Sequence, residues 1–167
     1  MKVDLATVVL GWEKALGSTD HVLSRGVEFA RDNGIAEADL LGWRLAPDMF
    51  PLSRQVQIVC NVIQNWAARA AGVDIPDEPK GETVEALKAD IAAARHFLDG
   101  LTPEQFDDRD EVVVTVELGT ISPTMPIAQW VLGFAQSNIL FHLSIAYAIL
   151  RSRGVPLGKA DLFGGGL

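Results

Sequence analysis

The sequence predicts an all-α protein, a four-helix bundle with one small β-hairpin between the third and fourth helices. Three observations carry this. Four long stretches place apolar residues at steps of three and four, the period drops to two only over "EVVVTVEL" at residues 111–118, and Pro and Gly mark short connections. With 167 residues, of which 49% are hydrophobic and 22% charged, the chain reads as one domain over residues 1–167. That length buries on the order of 70% of the unfolded surface, so neither a disulfide nor a metal is needed for stability.

Taken in order, Leu5, Val8, Val9, Trp12, Leu16, Leu23, Val27 and Ala30 form the first helical stripe, which Asn33 and Gly34 end. "GST" at Gly17–Thr19 is the expected weak point of that helix. A short helical piece, "AEADLLGW", follows, and Pro47 and Pro51 bracket a rigid connection. The second long helix is expected from Leu52 or Ser53 to Gly72, with Val56, Val59, Cys60, Ile63, Ala67 and Ala70 inward. Beside that face runs an uncharged polar stripe of Ser53, Gln57, Asn61 and Gln64, readable as a solvated strip or as the wall of a pocket.

Thr83 caps the third helix, in which Val84, Leu87, Ile91, Ala94 and Leu98 are spaced 3, 4, 3, 4, and Gly100 ends it. Thr102, Pro103 and Gln105 carry a capping-box signature for one further turn. In the hairpin, Val112, Val114, Val116 and Leu118 share one face, Gly119 turns the chain, and "TISPTMP" returns as an edge strand that tolerates its prolines. The last helix runs from about Pro126 to Arg153, and the tail 155–167 has no period and is expected to be irregular and superficial.

Charge and cysteine content narrow the setting. Fourteen basic against 22 acidic residues, a net charge of −8 without a basic cluster, argue against nucleic acid and anionic membranes as partners. A single cysteine suits a cytoplasmic location, and the N-terminal stretch, interrupted by Asp4, Trp12 and Glu13, does not read as an export signal. Trp130 to Leu150 is apolar and nearly long enough to span a bilayer. Gln136, Asn138 and His142 would be costly there, so a buried helix is expected.

Candidate chemistry centres on that last helix. With Asn138 at 0°, Val131, Phe134, His142, Ile145 and Ile149 all fall within about 40°, which places Asn138 and His142 one turn apart inside the expected core stripe. Residues at i and i+4 can reach a common ion, but Asn is a poor zinc ligand and no Cys, Asp or Glu shares the stripe, so satisfied core polar groups are the plainer reading. A second apolar stripe of Leu132, Ile139, Leu143 and Leu150 is assigned to a homodimer contact. His96 reads as solvent-facing and His21 carries no signal, while Cys60 reads as a small buried hydrophobe. Asp48 caps a turn or enters a pocket beside Gln55.

"RLAPDMFPLSRQVQI", "AARAAGVDIP" and "FHLSIAYAILRSRGVPLGK", with the hairpin before the last helix, resemble the DUF1993 family of bacterial proteins. That family is grouped with the DinB/YfiT-like metalloenzyme superfamily, so the resemblance implies a DinB-like four-helix bundle, often dimeric, without implying a reaction. Metal-binding members of the superfamily hold a divalent ion with one histidine on helix two and two on helix four, and some use a low-molecular-weight thiol. Mapped onto this sequence, the helix-four pair corresponds to Asn138 and His142, and helix two offers Gln57 or Asn61. One of three histidines is present, so at most a weakly bound divalent metal is expected. The resulting expectation is a small-molecule-binding or stress-related protein with a pocket of Gln57, Asn61, Asn138 and His142. The alternative is a metal- or thiol-dependent transferase or isomerase with His142 as ligand or base.

Overall fold

The computed structural model describes residues 4–164 and divides the first helical run into α1 (Leu5–Leu10) and α2 (Glu13–Asp32), at Gly11 and Trp12 rather than at Gly17–Thr19. Asp4 caps α1 by accepting the Thr7 amide, and tight hydrogen bonds from Trp12 N to Val9 O and from Lys14 N to Gly11 O mark the junction. Gly17, Ser18 and Thr19 are instead buried inside α2, and the Thr19 hydroxyl donates to Ala15 O. Small residues that look like a break in sequence are here the surface against which neighbours pack.

The remaining elements are α3 (Glu37–Gly42), α4 (Leu52–Ala71), α5 (Val84–Asp99), strands β1 (Val113–Thr115) and β2 (Thr124–Pro126), α6 (Ile127–Gln129) and α7 (Gln136–Ser152). Between α6 and α7 the chain is π-helical over Trp130–Ala135. The long helices α2, α4, α5 and α7 each pack on two others around one hydrophobic core. As expected, Thr83 caps α5 by accepting from Ala86 N, and Gly72 ends α4 in the left-handed conformation at φ 72°.

Cross-helix contacts fix the directions. Trp12 reaches Gln136 near the start of both α2 and α7, and a Cβ added at Gly26 would stand 2.6 Å from Leu150 near the end of both, so these two helices are parallel. Lys88 bonds Ser24 while Arg95 pairs with Glu13, so α5 is antiparallel to α2. The connection 72–83 runs back along α4, held by Arg54 to Glu78 and by Gln57 to Gly81, which makes α4 and α5 parallel. The order is therefore up, down, down, up, with one long crossover.

The hairpin is shorter than its alternating sequence. Val113, Val114 and Thr115 pair with Pro126, Met125 and Thr124, and a single bridge joins Leu118 to Ile121 around Gly119 at φ 63°. Val114, Val116 and Leu118 turn inward as predicted, whereas Val112 is exposed. The Trp130 indole donates to Val114 O at 2.9 Å and ties the hairpin to the last helix.

The tail departs from expectation. Val155 and Leu157 are buried, Lys159–Phe163 forms a 3-10 helix against α2, and the His21 ring meets Asp161 at 2.7 Å. Residues 165–167 of that tail lie outside the described residues. Ile127–Ser152 is long and apolar enough to cross a membrane by composition alone, and it spends Ile139, Leu143, Ala146, Ile149 and Leu150 on the bundle core.

Candidate functional site

The orientation of α7 decides where its polar residues point. Its buried side chains are Ile139, Leu143, Ala146, Ile149 and Leu150, while Asn138, His142 and Ile145 are only half-buried. Asn138 and His142 are thus not inside the core stripe. They stand at its margin.

Ile139, Leu143 and Leu150, assigned from the sequence to a partner copy, are part of the protein's own core, and of that stripe only Leu132 is exposed. Two causes reverse the assignment. Two apolar stripes roughly 100° apart do not reveal which one faces inward, and the glycine at position 26 lets α2 approach closely over Leu150. In addition, each residue of the π-helical stretch turns the chain through less than an α-helical step, which carries Leu132 out of line with Ile139, Leu143 and Leu150.

The margin occupied by His142 adjoins α4, the helix that packs most extensively on α7. The partner of His142 is Gln55, only 2% exposed, whose Oε1 lies 2.6 Å from the imidazole Nδ1. Gln55 in turn donates its Nε2 to Phe50 O at 3.0 Å. That second bond settles the chemistry. With the amide nitrogen committed as donor, Oε1 must accept, so Nδ1 carries the proton and Nε2 keeps a lone pair. Burial, and secondarily the positive charge of Arg54, hold the His142 pKa below the ordinary imidazole value and favour the neutral ring. The Phe141 ring meets that of His142 edge-on at 5.1 Å.

The far end of the α4–α7 interface is aromatic. Trp66 of α4 stacks on Trp130 at 5.0 Å, Phe134 sits 5.7 Å from each ring, and the Arg69 guanidinium lies 5.7 Å above Trp66. A neutral nitrogen lone pair and an aromatic cluster therefore mark two ends of one helix pair, with Asn138 on α7 between Phe134 and His142.

Of the four pocket residues expected, the structure does not gather the α4 pair at His142. Gln57 lies two positions, or about 200°, around α4 from Gln55; its amide donates to Gly81 O at 2.7 Å and its oxygen accepts from Arg54 at 3.0 Å. Asn61 is half-buried one turn beyond Gln57, and Gln64 is buried with Oε1 lacking a partner among the described residues. Gln55 entered the sequence reading only as a neighbour of Asp48, and its role as the partner of His142 was missed. With Gln64 it is one of two polar side chains buried in α4, and it adjoins the inward residues Leu52, Val56 and Val59; that exception was the available signal. Asp48 is exposed and Gln55 turns to Phe50 instead.

Among the described residues no three His, Cys, Asp or Glu side chains come together as a metal-binding group. Cys60 is fully buried, and burial, with the Asp90 charge as a smaller cause, pushes its thiol up to about 12. His96 is exposed, as expected.

This helical arrangement places the protein in the DinB-like class. A crystal structure of a DinB family member protein from Shewanella denitrificans is similar over 95% of this chain and 91% of its own, with 27% sequence identity and a TM-score of 0.82. The chain belongs to the DUF1993 family, a domain of unknown function whose model matches residues 6–163. No curated protein matches it.

Proposed function

We propose that the α4–α7 face around His142 binds a small molecule, without a firmly held metal. The observation that carries this reading is the tether of Nδ1 by buried Gln55, which leaves Nε2 of a neutral ring as a fixed hydrogen-bond acceptor. Beside it, exposed Phe141 offers apolar surface, so the ligand chemistry that fits is an apolar or aromatic body bearing one hydrogen-bond donor. Phenol and anisole provide a matched pair of probes, since they share the ring and differ in the O–H. Phenol shifts the His142 Nε2 resonance in long-range ¹H–¹⁵N spectra and anisole does so far less. Equal shifts from both, or none from either, overturn the reading.

A second reading draws on the same atom. A histidine whose Nδ1–H is anchored presents Nε2 as metal-ligating histidines do, and Asn138 at i−4 can supply one weak oxygen. This supports a divalent-metal enzyme in which His142 acts as ligand. Elemental analysis of protein purified without added metal or chelator separates the two: stoichiometric metal that disappears in His142→Ala favours the enzyme and refutes the metal-free site.

A further inference from the structure

A cavity of about 470 Å³ lies on the side of α7 away from His142, between the start of α2 and the C-terminal 3-10 helix. Val8, Ala15 and Leu143 line it from the body of the protein, and Leu162 and Phe163 line it from the tail. The size is within the roughly 300–1,000 Å³ usual for small-molecule sites. Its polar groups are few: Ser18, the Trp12 indole, which is already bonded to Gln136 at 2.6 Å, and Lys14, the one charged residue of the lining among the described residues. Among the described residues no acidic side chain lines it, although the protein carries 22 of them, and Lys14 makes no ion pair.

The cover has its own anchorage. Val155 and Leu157 are buried where the tail leaves α7, and beyond them Asp161 forms the latch. One of its oxygens meets His21 Nε2 at 2.7 Å and the other accepts Gly158 N at 2.6 Å. Gly164 closes against the same ring, where a Cβ would stand 2.6 Å from His21. Phe163, 46% exposed, straddles the rim. The segment is thus fixed at one end by the burial of Val155 and Leu157, and at the other by Leu162 packed against the core and the Asp161–His21 pair. The pair itself is part-exposed and is the weaker of these two holds.

We propose that residues 155–164 form a latched strap over a binding site for an apolar monocarboxylate, its hydrocarbon body against Ala15, Leu143 and Leu162 and its carboxylate at Lys14. This site is separate from the His142 face and does not depend on the reading given above. The occupant follows from the lining: an apolar cavity without acidic groups and with one cation at its edge, in a protein otherwise strongly anionic, admits an amphipathic anion and opposes a cation.

Decanoate titrated into the intact protein by calorimetry tests the proposal, with decanol as the probe lacking the charge. Wild-type protein binds one decanoate per chain, and Lys14→Glu weakens it about fivefold or more, the scale of a rim charge contact, while decanol binding is unaffected by that substitution. Asp161→Asn, which loosens the latch without touching the lining, speeds decanoate association in stopped-flow measurements. Thermal melts confirm that both surface variants are folded. Absence of saturable decanoate binding to both wild type and Asp161→Asn, or binding indifferent to Lys14→Glu, overturns the site; an association rate unchanged in Asp161→Asn overturns the strap.

Discussion

Replacing Gln55 by Met isolates the bond on which the His142 site depends. Met matches Gln in length and helix propensity, and position 55 is 2% exposed, so the apolar side chain fits a place already shielded from water. The lost groups are the acceptor for His142 Nδ1–H and the donor to Phe50 O. Phe50 is exposed and its carbonyl can take water, so the cost concentrates on the half-buried imidazole N–H, at about 1–2.5 kcal/mol. For a chain of this size each kcal/mol moves the midpoint by about 2–4 °C, which gives a fall of about 2–10 °C in a thermal melt. The same variant frees the ring to exchange its proton between the two nitrogens, visible in long-range ¹H–¹⁵N spectra as loss of a single protonated Nδ1. Gln55→Glu keeps an oxygen opposite Nδ1 and retains the tautomer, with the imidazole pKa raised by the carboxylate. A Gln55→Met protein that melts with wild type and shows the same tautomer refutes the assignment of Gln55 as the positioning residue.

Two further outcomes follow from the same environment. Because the folded state lowers the His142 pKa, the unfolded chain binds the proton more readily. The neutral ring's contribution is therefore full above about pH 6.5 and is lost as pH falls below it toward the folded value, so His142→Asn flattens the acid limb of a denaturation series between pH 7 and 5, and an unchanged limb refutes the shift. Cys60, buried and with its thiol pushed up to about 12, does not react with a disulfide reagent at pH 8 in the native protein and releases one equivalent after denaturation; prompt native labelling would show an accessible thiolate and reopen thiol chemistry at that position.

Most of the fold was legible because its signals are local. The 3, 4, 3, 4 spacing of α5, its Thr83 cap, the left-handed Gly72 after α4 and the capping box at Thr102 each depend on residues within one or two turns. The hairpin face was readable for the same reason, since alternation needs only neighbours. The break between α1 and α2 was misplaced because Gly17–Thr19 has two meanings, a weak helix or a tight packing surface, and only the presence of neighbouring helices selects the second. The tail showed no period because it is held by buried Val155 and Leu157, by Leu162 against the core and by one long-range pair to His21, none of which leaves a repeating pattern.

The candidate site was legible by half. The sequence alone determined that one helix carries Asn138 and His142 a turn apart among apolar residues, and that no trio of histidines accompanies them. Tertiary structure decided the rest: that Ile139, Leu143 and Leu150 face the core, that His142 therefore stands at the α4 margin, and that Gln55 rather than Gln57 holds its Nδ1. The physical reason is that periodicity specifies the angle between side chains on one helix but not the rotation of that helix about its own axis. That rotation is set by what packs against it, here α2 through the gap at Gly26 and the π-helical turn that precedes α7.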